Sequence, residues 1–134
     1  MHTRVVARYA VLLSLALAIG ACRTRAIDEP EIRLTTMAAA ARLSEAQIGD
    51  AIVRAGKDRR WEMEPAGPGH ITGTLRVRDR YLAVTDITYS KTDIRIAYKT
   101  SEGLDYDDGK IHKAYNKWVA QLAASIRKQL AVAP

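Results

Sequence analysis

The chain is 134 residues long, with 21 basic and 15 acidic side chains and a formal net charge of +6. That length suits one domain with one hydrophobic core, and the charge is too low and too mixed for a protein built to hold nucleic acid. One cysteine in the whole chain excludes an internal disulfide framework and any cysteine-based metal site.

Arg4 and Arg8 precede an almost purely apolar run from Ala10 to Ile19. Spanning a bilayer takes about 20 apolar residues, so this shorter run fits the apolar region of a removed secretory signal. It ends in Ile19-Gly20-Ala21-Cys22, which resembles the lipobox of bacterial lipoproteins. There, small residues precede a cysteine that is acylated and becomes the new N-terminus. Residues 1–21 are therefore expected to be a signal peptide and Cys22 the lipidation site, in preference to a membrane helix or a core helix with a chance cysteine. A single acyl chain gives only reversible membrane binding, whereas several chains on one cysteine anchor permanently. Arg23 stands where an aspartate would favour inner-membrane retention. The expected location is thus the outer membrane facing the periplasm, with the inner membrane or the cell surface as alternatives.

Residues 22–42 read as a lipidated tether. Arg23-Thr24-Arg25 and Asp28-Glu29-Pro30-Glu31 are polar, and Pro30 favours extended chain. Ile32 to Thr36 is left open between a short edge strand and more linker. The domain is expected over residues 43–131.

Ser44-Glu45-Ala46-Gln47 is a capping box. Ile48, Ala51, Ile52 and Ala55 then share a helical stripe, predicting a helix from about 45 to 57 that ends at Gly56 as a left-handed cap. Trp61 to Glu64 alternates and meets the turn Pro65-Ala66-Gly67-Pro68-Gly69. His70 to Val77, Tyr81 to Tyr89 and a run through Ile94, Ile96 and Tyr98 alternate in the same way. Pairing Val77 with Tyr81 around Arg78-Asp79-Arg80 aligns Leu75 with Ala83, Gly73 with Thr85 and Ile71 with Ile87. Pairing Tyr89 with Ile94 aligns Ile87 with Ile96 and Thr85 with Tyr98. One register serves both hairpins, and a slip of one residue would invert every side chain.

The last apolar stripe, Ile111, Tyr115, Trp118, Leu122, Ile126 and Leu130, predicts the longest helix. The expected fold is α+β: a two-layer sandwich in which two helices cover one face of a three- to four-stranded antiparallel meander, in the order α-β-β-β-β-α. The segments Tyr81-x-Ala83-x-Thr85-x-Ile87-x-Tyr89, Ser101-x-x-Leu104-x-Tyr106 and Ile111-His112-x-x-Tyr115-Asn116-x-Trp118-Val119 give a further indication. Over residues 43–130 the chain resembles a family of small, uncharacterised proteobacterial lipoproteins, departing from it at Thr85 and Gly103. The resemblance implies fold and location and brings no catalytic residues with it.

Asp105, Asp107 and Asp108 form the densest acidic cluster, but Gly109 and Asn116 fall where a calcium-binding loop needs ligands. The expectation is a solvated turn whose Asp107 or Asp108 caps the last helix, with no metal and no cofactor. His112 and Asn116 share a helical face with Tyr115 nearby; without a nucleophile or an oxyanion loop they read as a stitch between elements, not a catalytic set. His70 is expected at an exposed turn, and Trp61, Tyr81, Tyr89, Tyr98 and Trp118 on the apolar sheet face. The polar face carries Arg76, Arg78, Arg95 and Lys99, with Asp86 and Asp93 as partial partners. A stripe of that kind attracts anionic surfaces, although a solvated sheet face also needs charge. The leading expectation is a non-enzymatic, lipid-anchored envelope protein that binds or organises an anionic envelope component or a protein partner, and no nucleic acid. A small-ligand or lipid carrier is the alternative, followed by a hydrolase-like enzyme centred on His112.

Overall fold

A computed structural model describes residues 23–134, so the expected signal peptide and Cys22 lie outside the described residues. The protein is α+β. Its elements in chain order are β1 (Thr24–Ala26), β2 (Glu31–Arg33), α1 (Glu45–Asp58), β3 (Glu62–Pro65), β4 (His70–Val77), β5 (Tyr81–Tyr89), β6 (Asp93–Glu102), β7 (Lys110–His112) and α2 (Lys113–Val132). Five strands form an antiparallel sheet in the order β2-β6-β5-β4-β3, and β1 pairs separately with β7. None of the described helices is long and apolar enough to cross a membrane.

α1 starts where its capping box requires. Ser44 Oγ accepts from the Gln47 amide at 3.1 Å, and Gln47 Oε1 accepts from the Ser44 amide at 2.9 Å. Its C-terminus differs from expectation. Gly56 is an internal helical residue, and a Cβ there would run into the Met63 side chain. The left-handed residue is Arg60 (φ 65°), with Trp61 N–H donating to the Gly56 carbonyl at 2.9 Å and Arg60 N–H to that of Lys57 at 3.0 Å. This is a Schellman closure built without glycine.

Both hairpins adopt the expected register, from Ile71↔Ile87 to Val77↔Tyr81 and from Tyr89↔Ile94 to Thr85↔Tyr98. Thr85, buried among apolar neighbours, donates from Oγ1 to the Gly73 carbonyl at 3.3 Å. Beyond Tyr98 a bulge intervenes: Val84 pairs with Thr100, leaving Lys99 as the extra residue. The strand then continues with Ser101 opposite Ala83. Gly103, at φ 74°, lies where a Cβ would approach the Arg80 carbonyl oxygen to 2.5 Å. A larger residue there meets both backbone strain and a backbone wall.

Three expectations need correction. The stretch taken as a tether is folded: β1 and β2 are paired, and Ile32, Leu34, Ala40 and Leu43 are each no more than 2 % exposed. The sheet gains β2 as an edge strand, so it has five strands, not three or four. Ile111 belongs to β7, and α2 is capped by His112 in place of Asp107 or Asp108. Strands of three residues hold too few positions to show a period, so in residues 23–36 the charged side chains mask the pairing.

The core forms where α1 and α2 pack on the inward face of the sheet. Ile48, Ile52, Val119, Leu122 and Ile126 meet Ile71, Ala83, Ile87, Ile94 and Ile96, all 0–1 % exposed. Ser125 Oγ donates to the Ala55 carbonyl at 3.3 Å where the two helices cross. Because Ile32 is part of this core, Ile32→Ala should lower the unfolding free energy by roughly 2–4 kcal/mol, measured by urea denaturation. A tether residue would change it by no more than about 0.5 kcal/mol.

Candidate functional site

With both helices on one face, the other face of the sheet is left uncovered among the described residues. Alternation brings to it Thr72, Thr74 and Arg76 from β4, Leu82, Val84, Asp86 and Thr88 from β5, and Arg95 and Ala97 from β6. β6 also brings Lys99 and, after the bulge, Thr100.

The expected cationic stripe is not one cluster. Arg76 opposes Leu82, which in turn opposes Glu102, at the end of the sheet next to the β4–β5 turn. Arg95 opposes Thr88, which opposes His70, at the other end. Six residues separate those two ends, about 20 Å along a strand. Arg78 leaves the face altogether: with Asp79 it occupies the positive-φ turn at φ 56° and 52°, closed by Arg80 N–H donating to the Val77 carbonyl at 3.2 Å. Arg95 is engaged, its Nη2 donating to Glu29 Oε2 at 2.6 Å, which ties the segment leading into β2 to the sheet.

What the structure does bring together is centred on Asp86. His70 Nε2 lies 3.1 Å and Lys99 Nζ 3.7 Å from the same Asp86 Oδ1. His70 is the first residue of β4 and half-buried, not an exposed turn residue. The signal was present in the register, since His70 opposes Thr88 and is two residues from Thr72, whose partner is Asp86. Lys99 falls on this face by the expected alternation, and the bulge that follows Tyr98 sets Thr100 outward beside it. Lys99–Asp86 is a partly exposed ion pair, worth about 0–1 kcal/mol, and His70–Asp86 a partly exposed hydrogen bond, so their effect is to set the polar pattern of the face and not its stability.

The other candidates are structural. His112 Nδ1 accepts from the Ala114 amide at 3.1 Å, capping α2. Asn116 donates from Nδ2 to the Ala26 carbonyl at 2.8 Å and accepts at Oδ1 from the Asp28 amide at 3.0 Å. These bonds join the N-terminal segment to α2 across 88 to 90 residues of sequence. Asp105 and Asp108 take positive φ in the turn before β7. Among the described residues no group of three or more His, Cys, Asp or Glu side chains converges as a metal-binding set. Trp61 is buried, while Tyr81, Tyr89, Tyr98 and Trp118 pack half-buried against the core.

Two surface depressions accompany these features. One, of about 120 Å³, is lined by Arg76, Asp79, Arg80, Tyr81, Leu82 and Glu102 at the β4–β5 end. The other, of about 330 Å³, lies between Asp58–Arg59 and the Ala124–Gln129 stretch of α2. Compared with known proteins, the chain matches no family model, no curated protein and no solved structure.

One buried group stands apart. Tyr115 is fully buried beneath Tyr98, whose ring meets it edge-on at 5.7 Å, and its hydroxyl has no hydrogen-bond partner among the described residues. Burial, then the Glu29 carboxylate, then Tyr98 push the Tyr115 phenol upward from its usual value. The unfolded chain therefore ionises first as pH rises. Above about pH 10 the folded state should lose roughly 1.4 kcal/mol of stability per pH unit from this group. Tyr115→Phe should remove that alkaline loss and, since a stranded buried hydroxyl costs about 1–3 kcal/mol, leave neutral-pH stability equal or higher. Urea unfolding of both proteins at neutral and alkaline pH measures the two effects.

Proposed function

We propose that the chain is an exported lipoprotein that works by binding, not catalysis. Acyl chains on Cys22 hold it at the outer membrane facing the periplasm, and its uncovered sheet face meets an anionic envelope component. The anchoring rests on the basic, apolar and small-residue succession that ends in Cys22. The resemblance to small proteobacterial lipoproteins supports the same reading. The observation that carries the binding role is the uncovered face itself, where Arg76 and Lys99 project among threonines, Leu82, Val84 and Ala97, with Asp86, Glu62, Glu64 and Glu102 on the same side. Of the residues nearest to a catalytic pattern, His112 spends Nδ1 on the α2 cap and Asn116 both side-chain polar atoms on the N-terminal segment, which supports binding over hydrolysis.

Arg95 is a poor probe of this reading, because its guanidinium holds Glu29. Arg76→Glu combined with Lys99→Glu changes the face without touching that contact. Cross-linking in intact cells should give a specific adduct with the unaltered protein and lose it with the double variant, at unchanged circular dichroism. An unchanged adduct removes the sheet face from the proposal. Mass spectrometry of the mature N-terminus should find an acylated Cys22, and an unmodified cysteine would overturn the location.

A further inference from the structure

We propose that the end of the domain at which the chain enters rests directly on an anionic phospholipid leaflet, and that this contact fixes the orientation of the domain on the membrane. The proposal rests on acylation of Cys22 and adds to it the absence of slack. Arg23, the residue after the cysteine, already accepts at its carbonyl from the Lys113 amide at 2.9 Å, and Thr24 is already paired with His112. A residue of chain reaches at most about 3.6 Å. The folded body therefore begins within one residue of the anchor and cannot stand away from the surface that holds it. Asn116 closes the segment from above through Ala26 and Asp28.

The surface at that end suits a head-group layer. Trp118 and Tyr81 lie half-buried with ring centroids 6.3 Å apart, and the Arg80 guanidinium sits 5.4 Å over the Tyr81 ring. Lys117 precedes Trp118 and is one helical turn from Lys113, which is hydrogen-bonded to Arg23. Amphipathic aromatics rimmed by lysine and arginine are the arrangement that settles at a membrane–water interface. Asp79 and Glu102 lie beside Arg80 at this end, and Asp105 follows Leu104, whose carbonyl accepts from the His112 amide. Asp107 and Asp108 are displaced from the entry point by the length of β1, since Gly109 is bonded to Ile27. Each lysine or arginine near an anionic leaflet strengthens association by about fivefold.

The geometry has a consequence for the uncovered face. β4 ends at this membrane-proximal end and β5 leaves it, while β6 returns to it. The strands then stand along the membrane normal and the open face looks sideways. The ten residues of β6 rise about 33 Å, so a partner of that face must itself lie close to the leaflet.

Cys22 is the only cysteine, so in the acylated full chain an introduced cysteine is the only free thiol. Lys117→Cys and Lys91→Cys variants, the second in the turn at the opposite end of β6, are labelled with a fluorophore. They are then reconstituted into phosphatidylethanolamine vesicles containing phosphatidylglycerol and a head-group quencher. The label at 117 should be quenched several-fold more than the label at 91. A flexible Gly-Ser insertion between Cys22 and Arg23 separates the two causes: the difference should persist on phosphatidylglycerol vesicles and vanish on phosphatidylcholine. Equal quenching at both positions in vesicle-bound, acylated protein overturns the proposal and leaves the anchor standing. A mass showing no acyl group on Cys22 overturns both.

Discussion

The parity of the β4–β5–β6 register is the constraint from which the remaining features follow. Antiparallel neighbours opposite one another share a face, so the pairs Ile71↔Ile87 and Ile87↔Ile96 commit one whole side of the sheet to the helices. On the inward face a Cβ at Gly73 would lie 2.8 Å from Thr85 Oγ1. Glycine on β4 and a hydroxyl on β5 thus fit together at an inward pair with no room for a Cβ on β4. Everything outward of that layer, from Thr72 through Asp86 to Ala97, is left for water or a partner by the same parity.

The bulge at Lys99 is the exception that creates the local chemistry. Without it, strict alternation past Tyr98 would place Thr100 inward and Ser101 outward. With it, Ser101 faces Ala83 on the inner side, and its hydroxyl lies 2.9 Å from that of Tyr98. Tyr98 in turn stacks on Tyr106 with centroids 4.5 Å apart and covers Tyr115. One inserted residue therefore keeps Thr100 on the outer face beside Lys99 and brings Ser101 to the aromatic column inside. Bulges are known to re-aim side chains in this manner.

Local features were legible in the sequence and long-range ones were not. The Ser44–Gln47 capping box, the two hairpin registers and the apolar stripe of α2 each depend on residues close in the chain. β1, β2 and β7 have three residues each and find partners far away, as the pairing of Thr24 with His112 illustrates. Ile32 and Leu34 gave only two alternating apolar positions between charges, too few to distinguish a buried edge strand from linker. The candidate site was legible in part for a related reason. Parity assigns Arg76 and Arg95 to one face, but position along the strand puts them at opposite ends of it, and the claim of Glu29 on Arg95 crosses 66 residues.

The folded N-terminal segment changes what an anchor at its start would mean. A flexible tether lets a domain sample all orientations above a surface, and its reach grows with the square root of its length. Here the segment is spent on structure: Arg23 on α2, Thr24–Ala26 on β7, Asp28 on Asn116, Glu29 on Arg95 and Ile32 on the core. A lipid placed at residue 22 would therefore act on the whole body as a rigid mount. It would lose search volume but gain orientation, because a partner approaching along the leaflet would meet the sheet face already presented. Loss of that orientational freedom before encounter is the same economy that preorganisation gives any interface. On this view the hydrogen bonds of Asn116 do for recognition what the register of β5 does for the core: they leave one arrangement available.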